Sequence, residues 1–283
     1  MNLASPELFP SIPSDTASAA RFVFTTKNFY LTIGDQVNQL FGGLSLGNPL
    51  GWLQGTERTS AMLFLITIFQ YIETLSDSQT MDALQKRVDW KYALHLPLEY
   101  PGLEGSVLCV FRKRLLVDPA SQHNFERLLA RLNEILMVTR KQTVGLEPTE
   151  LIHCICLLNR LSTGFQAISE VLDILATSQP EWLRYIALPH WYDRYGFQQM
   201  KITLAGNKAE LEAVTRGIGA DGTYLLKEIS ESNNQVLADL PQVSTLKQVW
   251  RDQYSSLEGE VVLRDETCSG CKLSTQYWNK NKQ

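Results

Sequence analysis

Three short motifs in this chain carry residue types whose spacing could do chemistry. Gly217-Ile218-Gly219-Ala220-Asp221-Gly222 fits G-x-G-x-x-G. That pattern lets backbone amides at a helix N-terminus meet a pyrophosphate, and it needs a strand before it and a helix after it. Here a helical stretch, 209–216, comes first, and no acidic residue follows a second strand at the usual distance. The glycines are expected to form a helix C-cap and turn. Gly43-Leu44-Ser45-Leu46-Gly47 fits the nucleophile elbow G-x-S-x-G. An elbow lifts a serine hydroxyl out between a strand and a helix, but Asn48-Pro49 would interrupt that helix at once. His153 and His190 come later in the chain, so residue order alone permits a triad, yet a loop is the better reading. Cys268-Ser269-Gly270-Cys271 is a single C-x-x-C pair. A structural zinc needs four ligands. The other donors, His153, Cys154 and Cys156, fall on an apolar helical stretch, so free thiols and no metal site are expected.

Metal-dependent phosphoryl chemistry would need carboxylates converging from separate elements, often from strand ends. Asp77, Asp89, Asp173, Asp193 and Asp221 all fall in or beside helical patterns. No catalytic residue, metal or cofactor is assigned from them.

The cations are the stronger signal. Between residues 84 and 141 the chain has ten Lys and Arg against six Asp and Glu, within a net charge of −4. The excess comes from Lys86, Arg87, Lys91, Arg112, Lys113, Arg114, Arg127, Arg131, Arg140 and Lys141. A local basic face on an otherwise acidic chain is how a nucleic-acid-binding surface reads, and a solvated helical surface reads the same way. The eight from Lys86 to Arg131 are the expected phosphate contacts on double-stranded DNA. The helix opening near Ser106 is the candidate for groove reading.

These residues must be held by helices. The apolar stretch 60–71 has no strand-like alternation, and a helix apolar on every side is a buried one. Ser76 with Gln79 three residues on is a capping-box pattern, which opens a second helix after a short polar break. The pair is helix–turn–helix-like. Pro101-Gly102 marks a turn. Residues 106–116 and 124–138 are amphipathic helices, with Phe125, Leu128, Leu129, Leu132, Ile135 and Leu136 on one stripe of the second. Beyond a hinge at 144–147, helices are expected over 149–161, 166–176, 211–216, 224–233 and 246–254. The aromatic run 182–195 is expected to be core. Few runs alternate with period two, so the fold is expected to be mainly α, with a helix-turn-helix-like N-terminal domain and a second helical domain.

At 283 residues, with 44% hydrophobic and 20% charged, the chain is long enough for two cores and too apolar for long-range disorder. Residues 1–20, with Pro6, Pro10 and Pro13, are expected to be a flexible extended arm. The boundaries that follow are 21–143, 144–255 and a tail at 256–283. Five cysteines make no disulfide framework at this length and point to a reducing, cytoplasmic setting. The N-terminus lacks a basic and then apolar leader pattern. The run 61–69 falls short of the ~20 apolar residues of a membrane span, so no membrane partner is expected.

A resemblance spans roughly residues 20–255. Arg58-x-x-Ala61-Met62-Leu63-x-Leu65, Leu75-Ser76-Asp77, Arg87-Val88-Asp89-Trp90-Lys91-Tyr92-Ala93-Leu94 and Phe111-Arg112-Lys113-Arg114-Leu115 resemble the InsH-type N-terminal domain of bacterial insertion-sequence transposases of the DDE class. Downstream, Leu158-Asn159-Arg160-Leu161, Pro180-Glu181-Trp182-Leu183, Trp191-Tyr192-Asp193-Arg194-Tyr195-Gly196 and Leu246-x-x-Val249-Trp250-x-x-Gln253-Tyr254 resemble the same group. The resemblance implies recognition of an element's terminal DNA during transposition, near the nucleoid. In that family the catalytic domain with its Asp, Asp and Glu ligands follows the matched region. The match decays after Val262, so a truncated form without strand-transfer chemistry is expected. Two other functions are in view: a protein–protein module (a homo-oligomer, a regulator paired with a full-length transposase, or an adaptor derived from one), and an active enzyme, either a hydrolase through Ser45 or a nuclease with scattered carboxylates.

Overall fold

A computed structural model describes residues 8–24, 27–44, 46, 57–139, 147–196, 208–232, 234–257 and 260–264. Ser45, Gly47, Arg140, Lys141, Cys268 and Cys271 lie outside the described residues. Among the described residues the chain is mainly α, with thirteen helices and one antiparallel hairpin. It divides into two compact units at Leu151/Ile152.

The first unit begins with a helix where an extended arm was expected. α1 runs Ser14–Val23. The prolines all precede it, and Pro13 stands at its N-cap, where proline does no harm. Ala17, Ala19 and Ala20 favour helix, and the helix is tied down by burial of Ala20 and by Thr16, whose Oγ1 donates to the Leu96 carbonyl at 2.8 Å. α2, Phe29–Leu40, is capped by Asn28, whose side-chain oxygen accepts from the amides of Tyr30 and Leu31. α3, Glu57–Ile72, is buried from Ser60 to Gln70, as its all-round apolar sequence requires. Phe64 packs on Phe111 and Phe125, and Phe69 packs on Trp90.

α4, Asp77–Lys86, turns away from α3 by 112°, close to the ~90–120° of helix–turn–helix pairs. The bend is fixed locally. Thr74 takes a positive φ of 53°, and both hydrogen bonds of the Ser76–Gln79 capping box are formed. α5, Val88–Ala93, packs on α1, α2 and α4. α6, Gly105–Val117, packs on α3, α4 and α7, and α7 is Pro119–Thr139.

The second unit starts within α8, Pro148–Ser178. Sequence reading expected two helices broken near Ser162-Thr163-Gly164. The helix runs through: the Thr163 hydroxyl finds its acceptor within the helix, at the Asn159 carbonyl, and Gly164 lies at a close tertiary contact. A Cβ there would stand 3.2 Å from Ile218. Of the described helices, α8 is the one that by itself is long and apolar enough to cross a membrane, which the sequence analysis did not single out. Its apolar window is 78% buried inside the protein.

The short helices α9, Pro180–Ile186, and α10, Pro189–Tyr195, each start with proline at N1. α11, Lys208–Glu231, then runs unbroken through Gly217, Gly219 and Gly222. The expected C-cap and turn is therefore corrected. The glycines make room for aromatic rings: a Cβ on Gly219 would stand 2.4 Å from the Tyr254 ring, and one on Gly222 1.9 Å from the Trp250 ring. α12, Gln235–Ala238, and α13, Pro241–Gln253, follow. A hairpin of β1, Tyr254–Leu257, and β2, Glu260–Leu263, ends the described chain, with Tyr254 opposite Leu263. The core of this unit gathers Leu161, Phe165, Ile168, Trp191, Ile218 and Trp250; of the aromatic run expected to be core, Trp191 and Tyr195 are buried, while Tyr185 and Tyr192 are exposed.

Candidate nucleic-acid interface

The bend between α3 and α4 is braced from α6. Asp77 opens α4, where the helix dipole favours an anion. Arg112 of α6 is fully buried and donates to both Asp77 carboxylate oxygens, at 2.8 and 2.7 Å. Gln70 of α3 closes the network, donating to Asp77 at 2.7 Å and accepting from Arg112 at 3.3 Å. Burial works against the Arg112 charge, but the adjacent Asp77 carboxylate more than offsets it and holds the guanidinium above its ordinary range. Three helices meet in one polar cluster within an apolar core.

A second arginine does similar work beside α5. Arg87 pairs with Asp89 at 2.7 Å and with Glu73 at 3.4 Å, and lies over the rings of Tyr30 and Trp90. Burial is the largest single effect and opposes the charge, and Asp89, Tyr30 and Glu73 together outweigh it. Lys91 is buried, and its Nζ donates to the Leu98 carbonyl.

These placements show which cations of the expected phosphate-contacting set solvent reaches. A phosphate contact needs a cation that solvent can reach, and Arg112 and Lys91 are enclosed by the fold. Arg87 is half-buried and committed to Asp89. Arg131 is half-buried and donates to the Leu40 carbonyl at the C-terminal end of α2, where orphan carbonyls need donors. Arg127 is exposed and reaches the Gly43 carbonyl at 3.5 Å. Lys86 is exposed and bridges to Asp82 at 2.8 Å, one turn back on α4. Lys113 is exposed and Arg114 is half-buried, side by side near the end of α6. The accessible positive charge of the set thus falls to Lys113, Arg114, Arg127 and Lys86.

In the second unit the motif residue Asp221 is buried in α11 and anchors α10. It accepts from Tyr195 Oη at 2.8 Å and pairs with His190 at 2.8 Å and with Arg194. Burial and then the Asp221 charge push the Tyr195 hydroxyl well above the ordinary tyrosine range. Among the described residues no three His, Cys, Asp or Glu side chains come together as metal ligands. Cys109 and Cys154 are in no disulfide, while Cys156 is disulfide-bonded, so the cysteine count does not by itself mark a reducing setting.

The helices α3 to α5 and most of α6 fall in a stretch that matches a known family. Residues 57–114 match the family model for the transposase domain (DUF772). Over this segment the chain is similar to a transposase domain. The match opens where α3 opens, at Glu57, and closes on Arg114, so it contains both helices of the bend and the whole Gln70–Asp77–Arg112 cluster. No curated protein and no solved structure matches the chain. The spacing of Arg112 and Asp77 in the sequence does not reveal their pairing in this cluster. The capping box placed Asp77 in the first turn of α4, and that was the available signal.

Proposed function

We propose that the chain is a transposase-related DNA-binding protein that recognises the terminal DNA of its element. The reading rests on the transposase-domain match over residues 57–114. Lys113 and Arg114 support it as accessible cations inside that match. In this reading the α3–α4 bend and the Arg112–Asp77 pair set the pose of α6. Lys113, Arg114, Arg127 and Lys86 then neutralise phosphates, and the helix α6 approaches the duplex.

The test is a salt titration of binding to the DNA flanking the chain's own gene, with scrambled duplex as control. Each neutralised phosphate contributes about −0.9 to the slope of log K against log salt. Tight, sequence-dependent binding with a slope of roughly −3 or steeper is expected from three to four contacts. Binding no tighter to flanking than to scrambled DNA, with a slope near zero, overturns the reading. It turns attention to a protein–protein role with a second copy or a full-length transposase.

A further inference from the structure

The turn after α5 places a histidine where helices ordinarily end on glycine. The amide of Leu96 donates to the Lys91 carbonyl at 2.8 Å and that of His95 to the Tyr92 carbonyl at 3.2 Å. This is a Schellman motif with His95 at its left-handed position, φ 53°. A non-glycine residue there carries backbone strain, which persists when the surroundings hold it in place.

The surroundings of His95 are two carbonyl oxygens. Its side chain is buried, with Nε2 2.8 Å from the Gly34 carbonyl of α2 and Nδ1 against the Pro10 carbonyl. A carbonyl oxygen only accepts. A neutral imidazole has one N–H and one lone pair, so it satisfies one of these oxygens and turns a lone pair on the other. Both contacts are hydrogen bonds only when both ring nitrogens carry protons.

We propose that His95 is a cationic clamp that holds the strap Phe9–Pro10 onto α2, and that its deprotonation releases the strap. α2 is independently fixed by its packing on α5 and α7, so the strap is the side that gives way. Among the described residues the strap is also held at Phe9, and beyond it α1 is anchored by Thr16 and Ala20. The Phe9 amide donates to Asn38 Oδ1 at 2.8 Å, and Asn38 Nδ2 donates back to the Phe9 carbonyl at 3.0 Å. The Phe9 ring is fully buried against Phe41 and His95, with the Arg58 guanidinium over it at 5.9 Å.

The titratable groups on the surrounding elements are otherwise engaged. Asp35 of α2 accepts from Tyr92 and Arg21, and Asp89 of α5 pairs with Arg87. Glu57 of α3 accepts from the Leu46 amide, and Lys91 of α5 donates to Leu98. Asp15 of α1 accepts from Ser14, and Arg58 of α3 donates to the His95 carbonyl. The contacts made by the ring nitrogens of His95 are therefore to carbonyls and not to a carboxylate.

The experiment is amide hydrogen exchange of residues 8–20 in the full chain at about pH 5.5 and about pH 8, either side of the ordinary histidine range, corrected for intrinsic rates. NMR of the His95 ring nitrogens runs alongside. The expected result is strap protection five- to tenfold weaker at the higher pH, the worth of about one hydrogen bond, with both ring nitrogens protonated at the lower. His95→Gly suits the left-handed backbone and removes the ring, so it keeps the fold and gives equally weak protection at both pH values. Equal protection of the unaltered chain at both pH values, or a single neutral tautomer at the lower one, overturns the proposal.

Discussion

Arg112 and Asp77 form a buried, two-pronged ion pair between the third turn of α6 and the first turn of α4. The pair joins two independent needs. α4 must leave α3 at 112°, so its N-terminal amides and its first carboxylate point into the unit. α6 must cross both helices, and a fully buried guanidinium can be tolerated there only because a carboxylate and Gln70 meet it.

Removing either partner leaves the other charge buried and unmatched. Arg112→Ala and Asp77→Ala are each expected to cost about 3–5 kcal/mol of stability. The double variant Arg112→Leu with Asp77→Leu is expected to lose much less than the two single losses together. Urea unfolding of all variants checks this. Single variants near the stability of the unaltered chain would show that the pair does not brace the bend.

The same burial separates stability from DNA binding among neighbouring cations. Lys113→Ala and Arg114→Ala are expected to leave stability within about 0.5 kcal/mol, since neither is fully enclosed. Each is expected to weaken binding to every duplex and to reduce the salt slope by about 0.9. Arg112→Ala is expected to act through the fold. Unchanged slopes for both surface variants would move the DNA contact to another surface.

Glycines inside α11 give a second contrast within a single helix. Gly222→Ala would put a methyl group into the Trp250 ring, and Gly219→Ala would put one into the Tyr254 ring. Each is expected to cost about 1–3 kcal/mol by overpacking. Gly217 has only the Arg194 guanidinium near, at 3.8 Å, so Gly217→Ala is expected to stabilise by about 0.5–1 kcal/mol through helix propensity. Thermal unfolding of the three variants checks the order. A stabilised Gly222→Ala would mean that Trp250 does not press on α11.

Much of the first unit was legible because its signals are local. The all-apolar run around Leu63, the Ser76–Gln79 box and the stripe from Phe125 to Ile135 each report a neighbour three or four residues away. What failed was what depends on distant partners. Gly219 and Gly222 read as a turn because the rings of Trp250 and Tyr254, some thirty residues on, are invisible to local pattern. The basic cluster read as surface because charge counting does not know that Asp77 awaits Arg112, or that Leu98 offers Lys91 its carbonyl. α1 read as a loose arm because its anchor, the Leu96 carbonyl, is eighty residues from Thr16. Sequence spacing supplied the elements, and tertiary contacts decided which cations remained available to a ligand.

Asp118 gives the pH dependence its sign. It ends α6 and precedes Pro119 at the start of α7, where its carboxylate accepts from the Ser121 amide at 3.0 Å and from the Ser121 hydroxyl at 2.5 Å. The hydroxyl bond is the main reason its pKa lies below the ordinary 3.8, with the Ser121 and Ala120 amides adding to it against a smaller opposing effect of burial. A carboxyl depressed in the folded state stabilises at pH above its unfolded value, and that contribution is lost as pH falls through the folded value. Asp118→Ala is therefore expected to lose about 0.5–2 kcal/mol near neutral pH. The gap to the unaltered chain should narrow as pH drops below about 4. Asp118→Asn keeps an oxygen acceptor, so it should recover most of the loss and show no such narrowing. Unfolding midpoints of the three proteins between neutral and acid pH check it, and a constant gap across that range would mean that the cap does not depend on the carboxylate charge.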